Sequence, residues 1–181
     1  MRVIAGRAKG TQLWAPDHKG LRPTTDRTKQ ILFDTLFTLC PAPKVALDLF
    51  AGTGSLGIEI LSRGAEKVYF VEKSRKIARA IERNLEKTHL TPYGKVIVAD
   101  AFIFLKREPP ELFDCIFVDP PYGQLYGQRA LSLIDRGHWL TKGGVCIVEE
   151  TRRMPISIDV QLECLNQKEC GDTILYFFGN V

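Results

Sequence analysis

Lys44-Val-Ala-Leu-Asp48-Leu-Phe-Ala-Gly52-Thr-Gly54-Ser-Leu-Gly57 decides the fold. An apolar run ends in an acid and is followed by glycines at G-x-G-x-x-G spacing, which describes a buried strand, a tight turn and a helix start. Glycine permits the turn and lets a ligand approach the backbone over the helix N-terminus. The same pattern repeats outward along the chain. Segments 44–50, 68–72, 95–100, 113–119 and 144–150 are short, rich in Val, Ile and Phe, and nearly continuous in their apolar character. Strands buried on both faces of a parallel sheet have this composition. Helical patterns over roughly 55–63, 74–88 and 126–137 separate them. This alternation predicts an α/β, doubly wound, Rossmann-like sheet with right-handed crossovers. Segments 160–165 and 173–179 supply two more strands around a Cys170-Gly171-Asp172 turn. They are expected to pair antiparallel, which brings the sheet to about seven strands.

Ahead of the sheet lies a separate unit. Segments 2–5 and 11–14 flank Gly6-Arg-Ala-Lys-Gly10 and read as a small hairpin. A helix then opens near Thr25 and Asp26, carries an apolar stripe of Ile31, Leu32, Leu36 and Leu39, and stops before Pro41. Residues 1–43 are therefore an extension, too small to be an independent domain, and 44–181 form the main domain.

The chain has 181 residues, 45% apolar and 25% charged. That composition excludes disordered, collagen-like and disulfide-scaffold classes. No apolar run approaches the ~18 residues of a membrane span, and the N-terminus lacks a signal-peptide core. The five cysteines form no C-x-x-C and read as reduced packing residues of a cytoplasmic protein; the three histidines lack ligand spacing, so no metal is expected. Net charge is +4, unevenly distributed: residues 1–30 carry +5 and the remainder −1. A basic arm on a near-neutral body suggests a polyanionic partner, nucleic acid before membrane.

The glycine loop admits several ligands, and charge decides among them. Asp48 lies inside the strand end, where a pyrophosphate would meet a carboxylate and a cation would be stabilised. Glu72, Asp100, Asp119 and the Glu149/Glu150 pair close the other strands, whose carboxyl ends line the ligand crevice of such a sheet. A rim of acids suits S-adenosylmethionine, which carries a sulfonium, an ammonium and two ribose hydroxyls but no phosphate. Taken singly, each acid could instead be an N-cap for the next helix. The expected cofactor set is Asp48, Phe50, Ala51, Gly52, Thr53 and Gly54 at the loop, Glu72 and Lys73 at the second strand end, and Asp100 and Ala101 at the third. Within it, Glu72 receives the ribose hydroxyls, Asp100 the adenine amine, and Asp48 with the glycine loop the methionine end. Glu59, on the following helix, is expected to be solvated.

Asp119-Pro120-Pro121-Tyr122 ends the fourth strand. The run could be merely a rigid exit turn. Its residues also suit methylation of a nucleobase amine, whose lone pair is delocalised into the ring. Two acceptors, the Asp119 carboxylate and the Pro120 carbonyl, can grip both N–H bonds and pyramidalise the nitrogen. Proline fixes that carbonyl and offers no competing donor. Tyr122 can stack on a base removed from its helix.

Asp48 to Gly54 and Asp119 to Tyr122 resemble motifs I and IV of class I S-adenosylmethionine-dependent amino-methyltransferases. Arg2-Val-Ile-Ala-Gly6, Lys9-Gly10, and Leu21-Arg-Pro-Thr-Thr-Asp-Arg27 with Ile31-Leu-Phe33 more narrowly resemble the bacterial 16S ribosomal RNA guanine-N2 methyltransferase family. The resemblance covers the whole chain. It implies methyl transfer to a guanine N2 amine, with Asp119, Pro120, Pro121 and Tyr122 as catalytic residues. It also implies a partner that is small-subunit ribosomal RNA or an assembling 30S particle, no membrane association, and a cytoplasmic monomer. Residues 1–43 become the RNA-facing extension, with Arg2, Arg7, Lys9, Arg22 and Arg27 as RNA contacts; Arg22 and Arg27 could equally pin the extension across the cofactor pocket. Three alternatives remain open. A DNA adenine-N6 methyltransferase would use the same four-residue motif but needs a target-recognition insertion for which no gap has space. A nicotinamide dehydrogenase would use Gly52 to Gly57 but is disfavoured by Asp48 and Asp119. A non-catalytic RNA-binding module would not need Asp119-Pro-Pro-Tyr122.

Overall fold

A computed structural model describes residues 1–16, 25–121, 124–157 and 159–180. Seven strands form one sheet in the order β3-β2-β1-β4-β5-β7-β6. They are β1 (Val45–Asp48), β2 (Lys67–Glu72), β3 (Gly94–Val98), β4 (Phe113–Val118), β5 (Leu140–Thr151), β6 (Glu163–Cys170) and β7 (Thr173–Gly179). The first five run parallel, while β7 pairs antiparallel with both β5 and β6. The helices are α1 (Asp26–Leu39), α2 (Ser55–Ser62), α3 (Arg75–Lys87), α4 (Ala101–Leu105) and α5 (Tyr126–Arg136).

The continuous apolar runs bury both sheet faces, so alternate residues feed two cores. Ala46, Val68, Phe70, Cys115, Phe117 and Ile147 pack on the side of α1, α2 and α3. Their neighbours Leu47, Tyr69, Val71, Ile116, Val118 and Val148 pack on the side of α4 and α5. The N-terminal helix joins the first core: Phe33 is fully buried and meets Phe117 edge-on at 5.7 Å. Its N-cap is Thr25, whose side chain accepts the Thr28 N–H at 3.1 Å.

Two local details depart from the sequence reading. Helix α4 fills the segment after β3, where Asp100 caps the N-terminus by accepting the Phe102 and Ile103 N–H groups. The N-terminal hairpin has a very short ladder, with Val3 donating to Thr11, Gly10 to Val3, and a single Arg2–Gln12 bridge. Its Ile4 and Ala5 N–H groups turn away from the partner strand to the Glu59 carboxylate, at 2.8 and 3.0 Å.

Candidate functional site

The carboxyl ends of β1 to β5 open into a cleft of about 1380 Å³. It is closed on one side by α1 and the first residues of the chain, and on another by the β6–β7 turn. Asp48, Phe50, Ala51, Gly52, Thr53, Glu72, Lys73, Asp100, Ala101, Asp119, Pro120 and Pro121 all line it, so the loop, the strand-end acids and the Asp-Pro-Pro turn share one space. Gly54 sits at the start of α2 instead and packs against Ile81 and Ile58.

The loop takes this shape because glycine allows it. Gly52 and Gly54 have φ of 53° and 82°, the left-handed region where a side chain is strained. Gly57 serves packing: a Cβ there would fall 2.2 Å from the Phe70 ring, so its absence lets α2 lie directly on β2. Two carboxylates hold the loop. Glu72 accepts the Gly52 N–H at 3.1 Å and the Ser74 N–H at 2.7 Å. Asp48 accepts the Gly57 N–H at 2.9 Å from beneath. A third support is Asn84 of α3, fully buried, whose amide donates to the Thr53 carbonyl at 3.0 Å and exchanges two hydrogen bonds with the Trp14 backbone.

The site is negative at its base. Burial pushes the Asp48 carboxyl up to about 7; the Gly57 N–H pulls it down, and the Glu72 charge adds to the rise. Among the described residues no cation pairs with Asp48 or Glu72. Asp100 is held below the usual carboxylate range: burial opposes that, but the Ile103 and Phe102 N–H groups and Lys73, at 3.5 Å, outweigh it. This donor set fits a cationic ligand with hydroxyls and opposes a pyrophosphate. No oxygen of Asp48 or Glu72 accepts more than one backbone N–H, which leaves acceptor capacity on both carboxylates.

Other expected residues fall differently. Glu59 is fully buried rather than solvated: besides Ile4 and Ala5 it meets Lys29 at 3.3 Å and Arg63 at 2.9 Å. The cause is tertiary: Ser55, Glu59 and Ser62 form one polar stripe on α2, and the N-terminal extension covers it, with Ile4 and Ala5 bonding Glu59 and Ala8 bonding Ser62. Lys29, counted in the basic arm, is therefore spent inside the protein. Arg2 pairs with Asp26 at 2.8 Å, Arg7 lies 4.4 Å over the Tyr93 ring, and Lys9 is exposed. Of the expected RNA contacts among the described residues, Arg27 alone lines the cleft. Of the Glu149/Glu150 pair, only Glu149 lines it, since adjacent strand residues face opposite ways. Tyr122, Arg22, Thr24 and His18 lie outside the described residues.

One wall of the cleft was not anticipated. Phe50, Phe102 and Tyr126 form an edge-on series at 5.8 and 5.1 Å, and the Arg129 guanidinium lies 4.0 Å over Phe102. Tyr126 and Arg129 are three apart on α5 and so share a face. That spacing is visible in the sequence, but their meeting with α4 is not.

No helix among the described residues is long and apolar enough to cross a membrane. Comparison with known proteins agrees with the geometry. The sequence profile of the family described as conserved hypothetical protein 95 matches residues 1–179. The ribosomal RNA small subunit methyltransferase D of Haemophilus influenzae is 35% identical over 173 residues, covering 94% of this chain and 89% of its own length. The protein of the same name from Escherichia coli is 34% identical over 153 residues, covering 82% and 74%. Among solved structures, an Escherichia coli protein described as a candidate methyltransferase superposes with a TM-score of 0.85 at 29% identity, covering 98% of this chain and 96% of its own. The sheet order, the glycine loop and a profile spanning nearly every residue agree: the chain belongs to the conserved hypothetical protein 95 family, and its kin include ribosomal RNA small subunit methyltransferases D.

Proposed function

We propose that this chain is a cytoplasmic, S-adenosylmethionine-dependent methyltransferase of small-subunit ribosomal RNA, and that its target is the exocyclic N2 amine of a guanine. The observation that carries the reading is the single cleft in which the Asp119-Pro120-Pro121 turn faces the acid-floored glycine loop. The names of the relatives support the RNA substrate. The guanine target rests on the resemblance of the N-terminal signature.

In this reading 44–181 are the catalytic domain and 1–43 the RNA-facing extension, with Arg2, Arg7, Lys9, Arg22 and Arg27 as contacts. Glu72 would receive the ribose hydroxyls, Asp100 the adenine amine beside Ala101, and Asp48 with Gly52 to Gly54 the ammonium end. Phe50, Ala51, Thr53 and Lys73 complete the enclosure. When bound, S-adenosylmethionine supplies an electrophilic methyl group on a sulfonium. The protein supplies alignment and charge. The Asp119 carboxylate and the Pro120 carbonyl accept the two amine N–H bonds and turn the nitrogen lone pair out of conjugation with the ring. Tyr122 would stack on the base face and hold it out of its helix. Positive charge that develops on the nitrogen is stabilised by Asp119, whose carboxylate oxygen takes the released proton. The reaction then needs an approach of about 3–3.5 Å and little else.

Incubating the protein with labelled S-adenosylmethionine and small-subunit RNA from cells lacking the enzyme, then analysing nucleosides, tests this directly. N2-methylguanosine is expected; label in N6-methyladenosine, or none, would overturn the reading. Asp119→Ala should lower turnover by at least about 10²-fold while calorimetric cofactor affinity changes little.

A further inference from the structure

The near-neutral main domain is not evenly neutral. From Lys73 to Lys87 it carries six basic residues against Glu82 and Glu86, a local balance of +4. Most of this stretch is α3, and the helix sorts the charges. At 3.6 residues per turn, Arg79, Arg83, Lys76 and Lys87 fall between about 40° and 120° around the axis from Arg75. Glu82 and Glu86 lie within about 20° of Arg75, on the other edge of the exposed face. The basic edge borders buried Ala80 and Asn84, and Asn84 is the residue that clamps the Trp14 backbone.

That edge therefore meets the N-terminal extension, and aromatic rings mark the junction. Trp14 is 36% exposed, with the Arg83 guanidinium 4.7 Å over its ring. Beyond the end of α3, Tyr93 is 37% exposed and lies under Arg7. The four basic side chains are all exposed, and none lines the cleft. A solvated surface helix mixes its charges, as the opposite edge of α3 does with Arg75, Glu82 and Glu86. An edge with four cations, no acid and arginine-stacked aromatics has the chemistry that tracks a phosphate backbone and its bases.

We propose that Lys76, Arg79, Arg83 and Lys87 of α3, with Trp14, form a second RNA-contact surface that holds RNA flanking the target nucleotide and leads from the extension toward the cleft mouth at Lys73. The proposal rests on the RNA-substrate reading and extends it to a surface in the catalytic domain itself. Lys29 of the arm is buried in its pair with Glu59, whereas the four α3 cations are exposed and add to the charge available to RNA.

The test is a Lys76→Gln/Arg79→Gln/Arg83→Gln/Lys87→Gln variant, titrated with small-subunit RNA at several salt concentrations. Its S-adenosylmethionine affinity should match wild type, which shows the fold and cofactor loop intact. Its RNA dissociation constant should rise at least about tenfold, and the slope of log K against log salt should fall by about 3. RNA affinity and slope equal to wild type would overturn the surface. A Glu82→Gln/Glu86→Gln variant separates a local edge from net charge: unchanged affinity is expected, and tightening comparable to the fourfold variant's loss would also overturn it. The two readings fail separately. Wild-type protein that methylates RNA while the fourfold variant binds normally defeats only the surface. Wild-type protein that binds through α3 but transfers no methyl group defeats only the enzymatic reading.

Discussion

Asp48 and Glu59 stand on either side of the same glycine loop, one ending β1 and one in the middle of α2, and both are buried. Their surroundings could hardly differ more. Glu59 accepts two backbone N–H groups and sits between Lys29 and Arg63. Asp48 accepts the Gly57 N–H, lies near another acid, and has no cation beside it among the described residues. A carboxylate whose charge is fully answered from within holds structure together. One whose charge is left unbalanced at the floor of a cleft is arranged for something that arrives. The first ties the extension to the helix of the glycine loop; the second is where the proposed function puts a positive ligand.

The largest effect should therefore come from the satisfied acid. Glu59→Ala removes the shared acceptor of Lys29, Arg63, Ile4 and Ala5 and leaves a buried ammonium without its partner. Breaking such a network costs about 3–5 kcal/mol, a large share of the stability of a domain this size. Denaturant unfolding should show that loss. Stability within about 1 kcal/mol of wild type, on the scale of an ordinary surface change, would mean that Glu59 makes an incidental contact and is no clamp.

Asp48→Asn should do the reverse, weakening function while sparing the fold. Asparagine can still accept the Gly57 N–H, so packing survives. Cofactor affinity should fall about ten- to a hundredfold as the anionic floor is lost, equivalent to about 1.4–2.8 kcal/mol. The pH dependence sharpens this. A carboxyl raised from 3.8 to about 7 in the folded state lends stability that is fully present below about 4 and lost as pH rises through about 7. Thermal melts of Asp48→Asn should thus gain on wild type between about pH 4 and 7. Ionisation of Asp48 favours a cationic ligand, so wild-type affinity for S-adenosylmethionine should climb up to about tenfold from pH 5.5 to 7.0. A parallel climb in Asp48→Asn would assign the titration to another group.

How far the sequence reveals this contrast follows from distance along the chain. The parallel sheet is legible because each strand is a continuous apolar run ending in an acid, and the cleft because β1 and β4 carry their motifs at those ends. Asp48 is legible as a strand-end acid four residues before a glycine. Glu59 is not, since its partners Lys29, Ile4 and Ala5 lie some 30 to 55 residues away. The local pattern even points the other way, because Ser55, Glu59 and Ser62 at i, i+4 and i+7 read as a solvated stripe, and only the packing of the extension buries it. Helix α4 escapes because five apolar residues fit strand and helix equally, although Asp100 before them is a readable cap. The Asn84 bridge from Trp14 to Thr53 joins segments 70 and 31 residues apart, and no local pattern encodes it.

The Arg2–Asp26 pair completes the series at its weak end. It too joins the extension to its own helix, at 2.8 Å, but its side chains are 56% and 44% exposed. Water screens the attraction, and ordering two flexible side chains offsets most of what remains, so Arg2→Gln should cost below about 0.5 kcal/mol. The same substitution frees Asp26 at the start of α1, where a negative charge interacts favourably with the helix dipole. A double-mutant cycle with Asp26→Asn should return a coupling within error of zero at 0.5 M salt, against several kcal/mol for Lys29 with Glu59 under the same conditions. If the exposed pair proves as strongly coupled as the buried one, burial is not what separates clamp from decoration, and the contrast between Glu59 and Asp48 must rest on the number of partners alone.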